Sequence, residues 1–457
     1  MQRRGIICHI YWVGLCIFCQ FQTACAQSAS RDYPAFSLSP IYPAAHPYLI
    51  KDEELYDYFS IDSSGIYLYA SPHDKKIGNA EFHLYPDEFE RMLKLLKFYP
   101  MEKVTDVYKE KGTNRWLASK KVYTPPLEKA FEYRNISEKP LAGLRVALDP
   151  GHLAGDHALA ETEGKYMKMR ASMHTKHTAI HFHESDLTIQ TARIIKQKLE
   201  AEGATVMITR KRKGLSVDGF DFDTWKKVFF HSYLDEQVEK GLLSEWDRKW
   251  YKTKAKDKDI FKLYNSEDLY MRAEKINAFR PHLTMVIHYN VHAPNEKSKD
   301  KEGFFLPTHE NYAMSFVPGA FLKNELRTQE DRIHFLYFLL NPDFEQSIFL
   351  SQAFIKASKE IAGVRTVSEE DKLIYLDRLC IQSSVQGVYA RNLKLTRMVR
   401  SPICYGESLC QDNLIEALAL NKKDTFFHDC YIPSRLLEIA ETYVSSVHEF
   451  ADKMLRE

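Results

Sequence analysis

From Leu141 onward, short apolar runs alternate with stretches whose apolar residues recur at helical spacing. Leu144-Arg145-Val146-Ala147-Leu148-Asp149 reads as a strand that Pro150-Gly151 stops. Asp186 to Gly203 carries Leu187, Ile194, Ile195 and Leu199 on one side, and Gly203 ends it as a helix. Ala204 to Thr209 is the next strand, and Leu269 to Phe279 is a helix leading into strand Leu283 to His288. Ile403 to Gly406 follows as a later strand, and Ile432 to Leu455, opened by Pro433, is a long closing helix. Such alternation predicts an α/β fold, a three-layer domain with a mixed, mainly parallel sheet.

The region before it, residues 27 to 140, reads as a small α+β region. Gly65 to Tyr69 is a strand and Asp87 to Phe98 an amphipathic helix, while the turn-rich Asn135 to Pro140 places a boundary near 140. Two stretches, 211–268 and 308–361, exceed ordinary connections and are expected to be insertions elaborating the core. The second holds an apolar helical run around Ile333 to Leu340, preceded by a strand Gly303 to Pro307. The basic run Arg248 to Lys258 is expected to be a solvated helix face.

Composition narrows the partners. With 63 Lys and Arg against 62 Asp and Glu in 457 residues, nothing draws the chain toward nucleic acid. A 44% hydrophobic and 13% aromatic content excludes disorder on the scale of the chain. Residues 1–26 read as a secretory signal peptide: Gln2-Arg3-Arg4, then a mostly apolar run from Gly5 to Cys19, then Ala24-Cys25-Ala26 before Gln27. The run is shorter than the ~20 residues of a spanning helix, so no stable membrane span is expected once it is removed. The protein is expected to be exported, to the periplasm or the cell surface. Four of eight cysteines leave with the signal, and Cys380, Cys404, Cys410 and Cys430 are expected to form at most one or two disulfides.

Three candidate metal ligands stand where strands end or helices begin: His152 after Asp149-Pro150-Gly151, Glu184 before the helix at Asp186, and His288 at the end of Met285-Val286-Ile287. In an open α/β sheet such positions converge outside the carboxyl ends of the strands. Two histidines and a carboxylate with a fourth position open is the donor set of a catalytic zinc site.

The ordered set Asp149-Pro150-Gly151-His152, Glu184-Ser185-Asp186-Leu187, Thr209-Arg210, Leu269 to Asn277 and Ile287-His288-Tyr289-Asn290 resembles zinc-dependent N-acetylmuramoyl-L-alanine amidases. The similarity continues through Gln386 to Leu393, Pro402 to Glu407 and Asn413, and covers roughly 141–457. It implies hydrolysis of the amide between N-acetylmuramic acid and L-alanine in peptidoglycan, in cell-wall remodelling or daughter-cell separation. Zn2+ would be held by His152, Glu184 and His288, and Glu407 would act as general base. Another exported zinc amidase or peptidase, or a non-catalytic wall-binding regulator, remains open on the same scaffold. The resemblance further implies that 308–350 could cover the zinc with a carboxylate from Glu325 to Asp331, until a protein activator relieves this autoinhibition; equally, Ile333, Phe335, Leu336, Phe338 and Leu339 could simply pack onto the core.

The chain departs from the pattern in places. The gap from His152 to Glu184 is about twice that of the family and contains His157, His174, His177, His181 and His183. This reads as a histidine-rich exposed loop, one of whose members could replace or supplement a ligand. Leu409-Cys410 stands where the family has Gly-Phe.

Overall fold

Apolar runs too short for helices become the strands of one sheet, because only pairing satisfies their backbone groups once they are buried. A computed structural model describes residues 46–122, 139–170, 179–292, 299–341 and 343–454, all within one compact unit, 38–457. The signal-like segment 1–26, His174 and His177 lie outside the described residues.

The N-terminal region has a small antiparallel sheet, β1 (Phe59–Asp62), β2 (Gly65–Leu68) and β3 (Phe82–Leu84), followed by helices α1 (Phe89–Phe98) and α2 (Met101–Lys111). The second part begins with β4 (Arg145–Pro150), helix α3 (His157–Glu163) and an antiparallel hairpin, β5 (Tyr166–Arg170) and β6 (Ala179–His183). Helix α4 (Glu184–Ala201) leads to β7 (Thr205–Ile208). Three helices, α5 (Phe222–Val228), α6 (Phe230–Glu239) and α7 (Glu245–Thr253), then precede the long α8 (Asp257–Phe279) and β8 (Leu283–Asn290). Strands β9 (Tyr312–Val317), β10 (Arg365–Thr366), β11 (Cys380–Gln382), β12 (Val388–Arg391) and β13 (Ile403–Cys410) follow, with helices α9 (Gln329–Leu340), α10 (Phe344–Glu360) and α11 (Arg435–Met454), three shorter helices and a separate hairpin of Thr425–Phe427 and Cys430–Ile432.

The main sheet runs β11-β12-β9-β13-β8-β4-β7, with β10 also beside β9. β7, β4, β8 and β13 are mutually parallel, and β9 enters antiparallel to β13. Alternate residues feed opposite layers. Val146, Leu148, Met285 and Ile287 pack with α4, α10 and α11 through Leu187, Ile195, Phe354 and Tyr443. Ala147, Val286 and Ile403 pack with α8 through Ala273 and Ile276. This is the expected three-layer, mainly parallel α/β architecture.

Several expectations are corrected. Within 308–361, Tyr312–Val317 is a central strand of the sheet, buried along its whole length, so the stretch is only partly an elaboration. A strand buried on both faces shows no alternation to read. Gly303–Pro307 is not a strand; Phe305 makes only isolated bridges to Met169 and Lys299. The closing helix starts at Arg435, because Ile432 ends a short strand. The four cysteines beyond residue 45 are free thiols, three of them buried, so the expected disulfides do not form. The histidine-rich gap is a helix and a hairpin in its described part, with His183 buried. α7 has no buried residue, and its Arg248 and Lys252 pair with Asp235, as a solvated face should.

Candidate metal and catalytic site

The site begins with a strained loop. β4 ends at Pro150, and His152 adopts a left-handed backbone with φ 60°, a conformation costing roughly 1–2 kcal/mol for a residue with a Cβ. Buried charges hold it there. The Arg210 guanidinium donates to the carbonyls of Pro150 (2.8 Å), Gly151 (3.1 Å) and His152. Arg272 of α8 donates to the Pro150 carbonyl (3.1 Å), to Asp149 (3.2 Å) and to Asp268 (2.6 Å), while the Thr209 hydroxyl donates to Asp149. Three of the sequence motifs therefore converge on one brace.

Glu184 is the first residue of α4, not a residue before it, and is 1% exposed. His288 lies near the carboxyl end of β8. His152 Nε2, Glu184 Oε1 and His288 Nδ1 meet in a near-equilateral triangle: 3.1 Å between the imidazoles, 3.1 Å from His152 to Glu184 and 3.2 Å from His288 to Glu184. These residues form one of two groups able to hold a metal among the described residues.

Each member is oriented from behind. His152 Nδ1 lies 3.1 Å from Glu163, whose carboxylate also accepts from the backbone N–H groups of Leu153 and Ala154 at 3.0 Å. That contact puts the His152 proton on Nδ1 and turns the Nε2 lone pair into the triangle. His288 Nε2 is 2.8 Å from the Tyr405 hydroxyl, and the two rings stack at 4.6 Å. Glu184 accepts from the Tyr289 backbone N–H and from Gln411 Nε2, both at 3.0 Å. Burial opposes a charged His152, but Glu184 and then Glu163 outweigh it and raise the ring to about 9. Burial works against the Glu184 carboxylate too, yet His152 holds it well below the usual range. Burial pushes His288 the other way, down to about 4, so in the metal-free chain the Glu184 charge is matched by a proton on His152 alone.

Glu407 pairs in register with His288 across the parallel β8–β13 ladder, so both side chains leave the same face, with Tyr405 two residues earlier on that face. Burial raises the Glu407 carboxyl, and the Glu184 charge raises it further. Of the four residues singled out in the sequence, His152, Glu184 and His288 come together, and Glu407 stands in register with His288. Glu163, Tyr405 and Gln411 were missed. Tyr405 had a signal, the two-residue spacing from Glu407; Glu163 and Gln411 had none.

The stretch expected to cover the site does not do so. Glu325 accepts from the Leu322 N–H (2.8 Å) and Asn392 (2.7 Å), Asp331 sits at the start of α9 beside Thr328, and Glu330 lies 3.5 Å from His334. α9 packs against the N-terminal region, with Phe335 on Phe59 at 5.0 Å. Of the two readings the sequence left open, the structure has the packing one: Ile333, Phe335, Leu336, Phe338 and Leu339 are buried in that core.

No family model matches the chain. A segment of 77 residues, 17% of the chain, is 39% identical to the probable cell wall amidase LytH of Staphylococcus aureus, and the chain spans about a fifth (21%) of that relative's length. Among solved structures, the CwlD amidase from Clostridioides difficile, in complex with the GerS lipoprotein, is 14% identical with a TM-score of 0.36; the match covers 68% of this chain and 99% of that one. The N-acetylmuramyl-L-alanine amidase Ami1 from Mycobacterium smegmatis is 14% identical at a TM-score of 0.37, with the same coverage of both chains. The catalytic domain of CwlV, an N-acetylmuramoyl-L-alanine amidase from Bacillus (Paenibacillus) polymyxa var. colistinus, is 11% identical at 0.34, over 68% of this chain and 98% of that one.

Proposed function

We propose that this chain hydrolyses the amide between the lactyl group of N-acetylmuramic acid and L-alanine in peptidoglycan, as a zinc-dependent enzyme of cell-wall remodelling. The observation that carries the proposal is the triangle of donor atoms beside an in-register carboxylate. Tetrahedral zinc with bonds of ~2.0–2.1 Å sets neighbouring donors about 3.3 Å apart, and the three donors stand at 3.1 to 3.2 Å. Two imidazole lone pairs and one carboxylate, each fixed by a partner behind it, suit that ion. When bound, zinc supplies Lewis-acid polarisation of the scissile carbonyl and a more acidic water.

The remaining steps belong to the chain. Glu407 accepts the proton of the attacking water on its carboxylate and delivers it to the leaving nitrogen of L-alanine. Burial and the Glu184 charge raise Glu407 to about 8 in the metal-free chain, so it is a strong base in its deprotonated form, and the β8–β13 ladder sets it in register with His288. Tyr405 and Glu163 keep the two imidazoles from rotating out of line. The signal-like start of the chain supports export, which brings such an enzyme to its substrate. No helix among the described residues is long and apolar enough to cross a membrane.

The test is a digest of purified peptidoglycan by zinc-loaded protein, with products identified by mass spectrometry. Glycan bearing free lactyl groups, together with intact stem peptides starting at L-alanine, is the expected outcome. Shortened stems would assign a peptidase, and binding without release would assign a non-catalytic wall protein.

A further inference from the structure

A second group of imidazoles lies outside the triangle. His157 opens α3, and His181 and His183 stand two apart on β6, so both leave the strand on the face opposite Ile180 and Phe182. α3 folds over that face, with the His157 ring edge-on to Tyr166 at 5.3 Å. One donor atom from each histidine lies within 4.8 Å of the others, and His181 Nε2 is 3.1 Å from His157 Nδ1.

His157 Nε2 faces Glu161 at 3.3 Å, while its Nδ1 faces His181. His183 is 9% exposed, and neither ring nitrogen has a hydrogen-bond partner among the described residues. Its nearest acid, Asp186, is 3.8 Å from Nδ1, beyond hydrogen-bond reach. A hydrogen bond between His157 and His181 satisfies those two rings but leaves His183 without a partner, at a cost of ~1–3 kcal/mol. A cation at the centre uses all three.

We propose that His157, His181 and His183 form a second metal site, for a divalent transition ion that prefers imidazole, zinc foremost. The site ties together the two elements that support the triangle. α3 starts at His157 and ends at Glu163, which holds His152; β6 ends at His183, directly before Glu184. An ion there would fix the hairpin and α3 to the start of α4. Its effect on the triangle rests on the function proposed above; the binding itself does not.

The experiment titrates the metal-stripped full chain with Zn2+ against a chromogenic chelator. Two equivalents are expected for the unaltered chain. His181→Ala, at an exposed position that packing does not need, is expected to bind one. His152→Ala/His288→Ala is expected to keep one equivalent, which adding His181→Ala removes. That last result would support the second site even if the function proposed above failed. One equivalent in the unaltered chain, lost in His152→Ala/His288→Ala and kept in His181→Ala, would overturn the second site and leave the first intact. Two equivalents retained by His181→Ala with an unchanged circular dichroism spectrum would also overturn it.

Discussion

Adding one methyl group at Gly151 should dismantle the triangle while leaving the fold in place. The Gly151 N–H donates to the Ile287 carbonyl at 3.0 Å, which holds the loop against β8. A Cβ on Gly151 would lie 2.2 Å from Cε1, 2.4 Å from Nε2 and 2.6 Å from Nδ1 of His288. Non-bonded carbon atoms settle at ~3.5 Å, so the imidazole would have to withdraw by roughly 1 Å. Retreat is blocked by the Tyr405 ring stacked at 4.6 Å, and the His288 backbone is fixed between β4 and β13. A zinc bond of ~2.0–2.1 Å does not survive a displacement of that size. Gly151→Ala should therefore weaken zinc binding by at least ~100-fold, the upper end of what losing a supporting contact costs. Overpacking should lower stability by only ~1–3 kcal/mol. Chelator competition measures the first quantity and urea unfolding of the metal-free protein the second. A Gly151→Ala protein that binds zinc within threefold of the unaltered chain would refute the reasoning, because it would mean the ring has room that the geometry denies.

Glu407→Gln should retain zinc and its melting temperature while losing ~10²-fold or more in hydrolysis, as removal of a general base does; loss of zinc instead would make Glu407 a ligand. Arg210→Lys replaces a three-carbonyl clamp with a point charge and should weaken zinc binding ~10-fold or more, read by the same competition; unchanged affinity would remove Arg210 from the support of His152. His334 is pushed down to about 3 by burial and then by Arg400, whose guanidinium donates to Nδ1 at 2.6 Å, with Arg397 opposing and Glu330 favouring its charge. The unfolded ring takes its proton near ~6.5, so this stability is present above that pH and is lost as the pH falls toward about 3. Between pH 6.5 and 5.0 the loss should be about 2 kcal/mol, and denaturant titrations of His334→Asn should show a slope flatter by that amount; an identical slope would reject the assignment. In the chain starting at Gln27, only Cys430 should react readily with a maleimide, since Cys380, Cys404 and Cys410 are at most 3% exposed; rapid labelling of more than one thiol without denaturant would contradict the packing.

The legible parts of the sequence were those with local cause. β4, β7, β8 and β13 are short apolar runs bounded by turn residues, and α4 and the second half of α8, from Leu269, carry their core stripes in plain periodicity; the first half of α8, from Asp257, was read as part of the 211–268 insertion. The three triangle residues could be named because each stands near the end of a strand or the start of a helix, where an α/β sheet collects its ligands; Glu407 was named through the family resemblance, and it lies inside β13, which runs on to Cys410 beyond the expected end at Gly406. What escaped was non-local. β9 has Ser315 amid apolar residues and no alternation, so nothing marked it as the strand between β12 and β13. Glu163 reaches His152 only because α3 turns the chain back. The apolar side of α9 was visible, but the surface it covers comes from residues some 250 positions earlier. His157, His181 and His183 were seen as a composition, and only the β5–β6 pairing makes them a cluster.

The buried charges around the first site explain why the loop can hold its shape. Asp149, Asp268, Arg210 and Arg272 are each at most 3% exposed, and a buried ion network of this kind is a weak source of stability, because desolvation offsets most of its attraction. Apolar residues of similar volume would fill the same space at no loss. Apolar residues could not, however, bind the carbonyls of Pro150, Gly151 and His152 and so hold a left-handed residue at the end of a strand. That conformation directs the imidazole across β8 toward His288, where an extended backbone would send it onward with the chain. The network is thus better understood through the geometry it imposes than through the stability it adds. The same rigidity that holds His152 in line denies His288 and its neighbours the freedom to absorb a methyl group at Gly151.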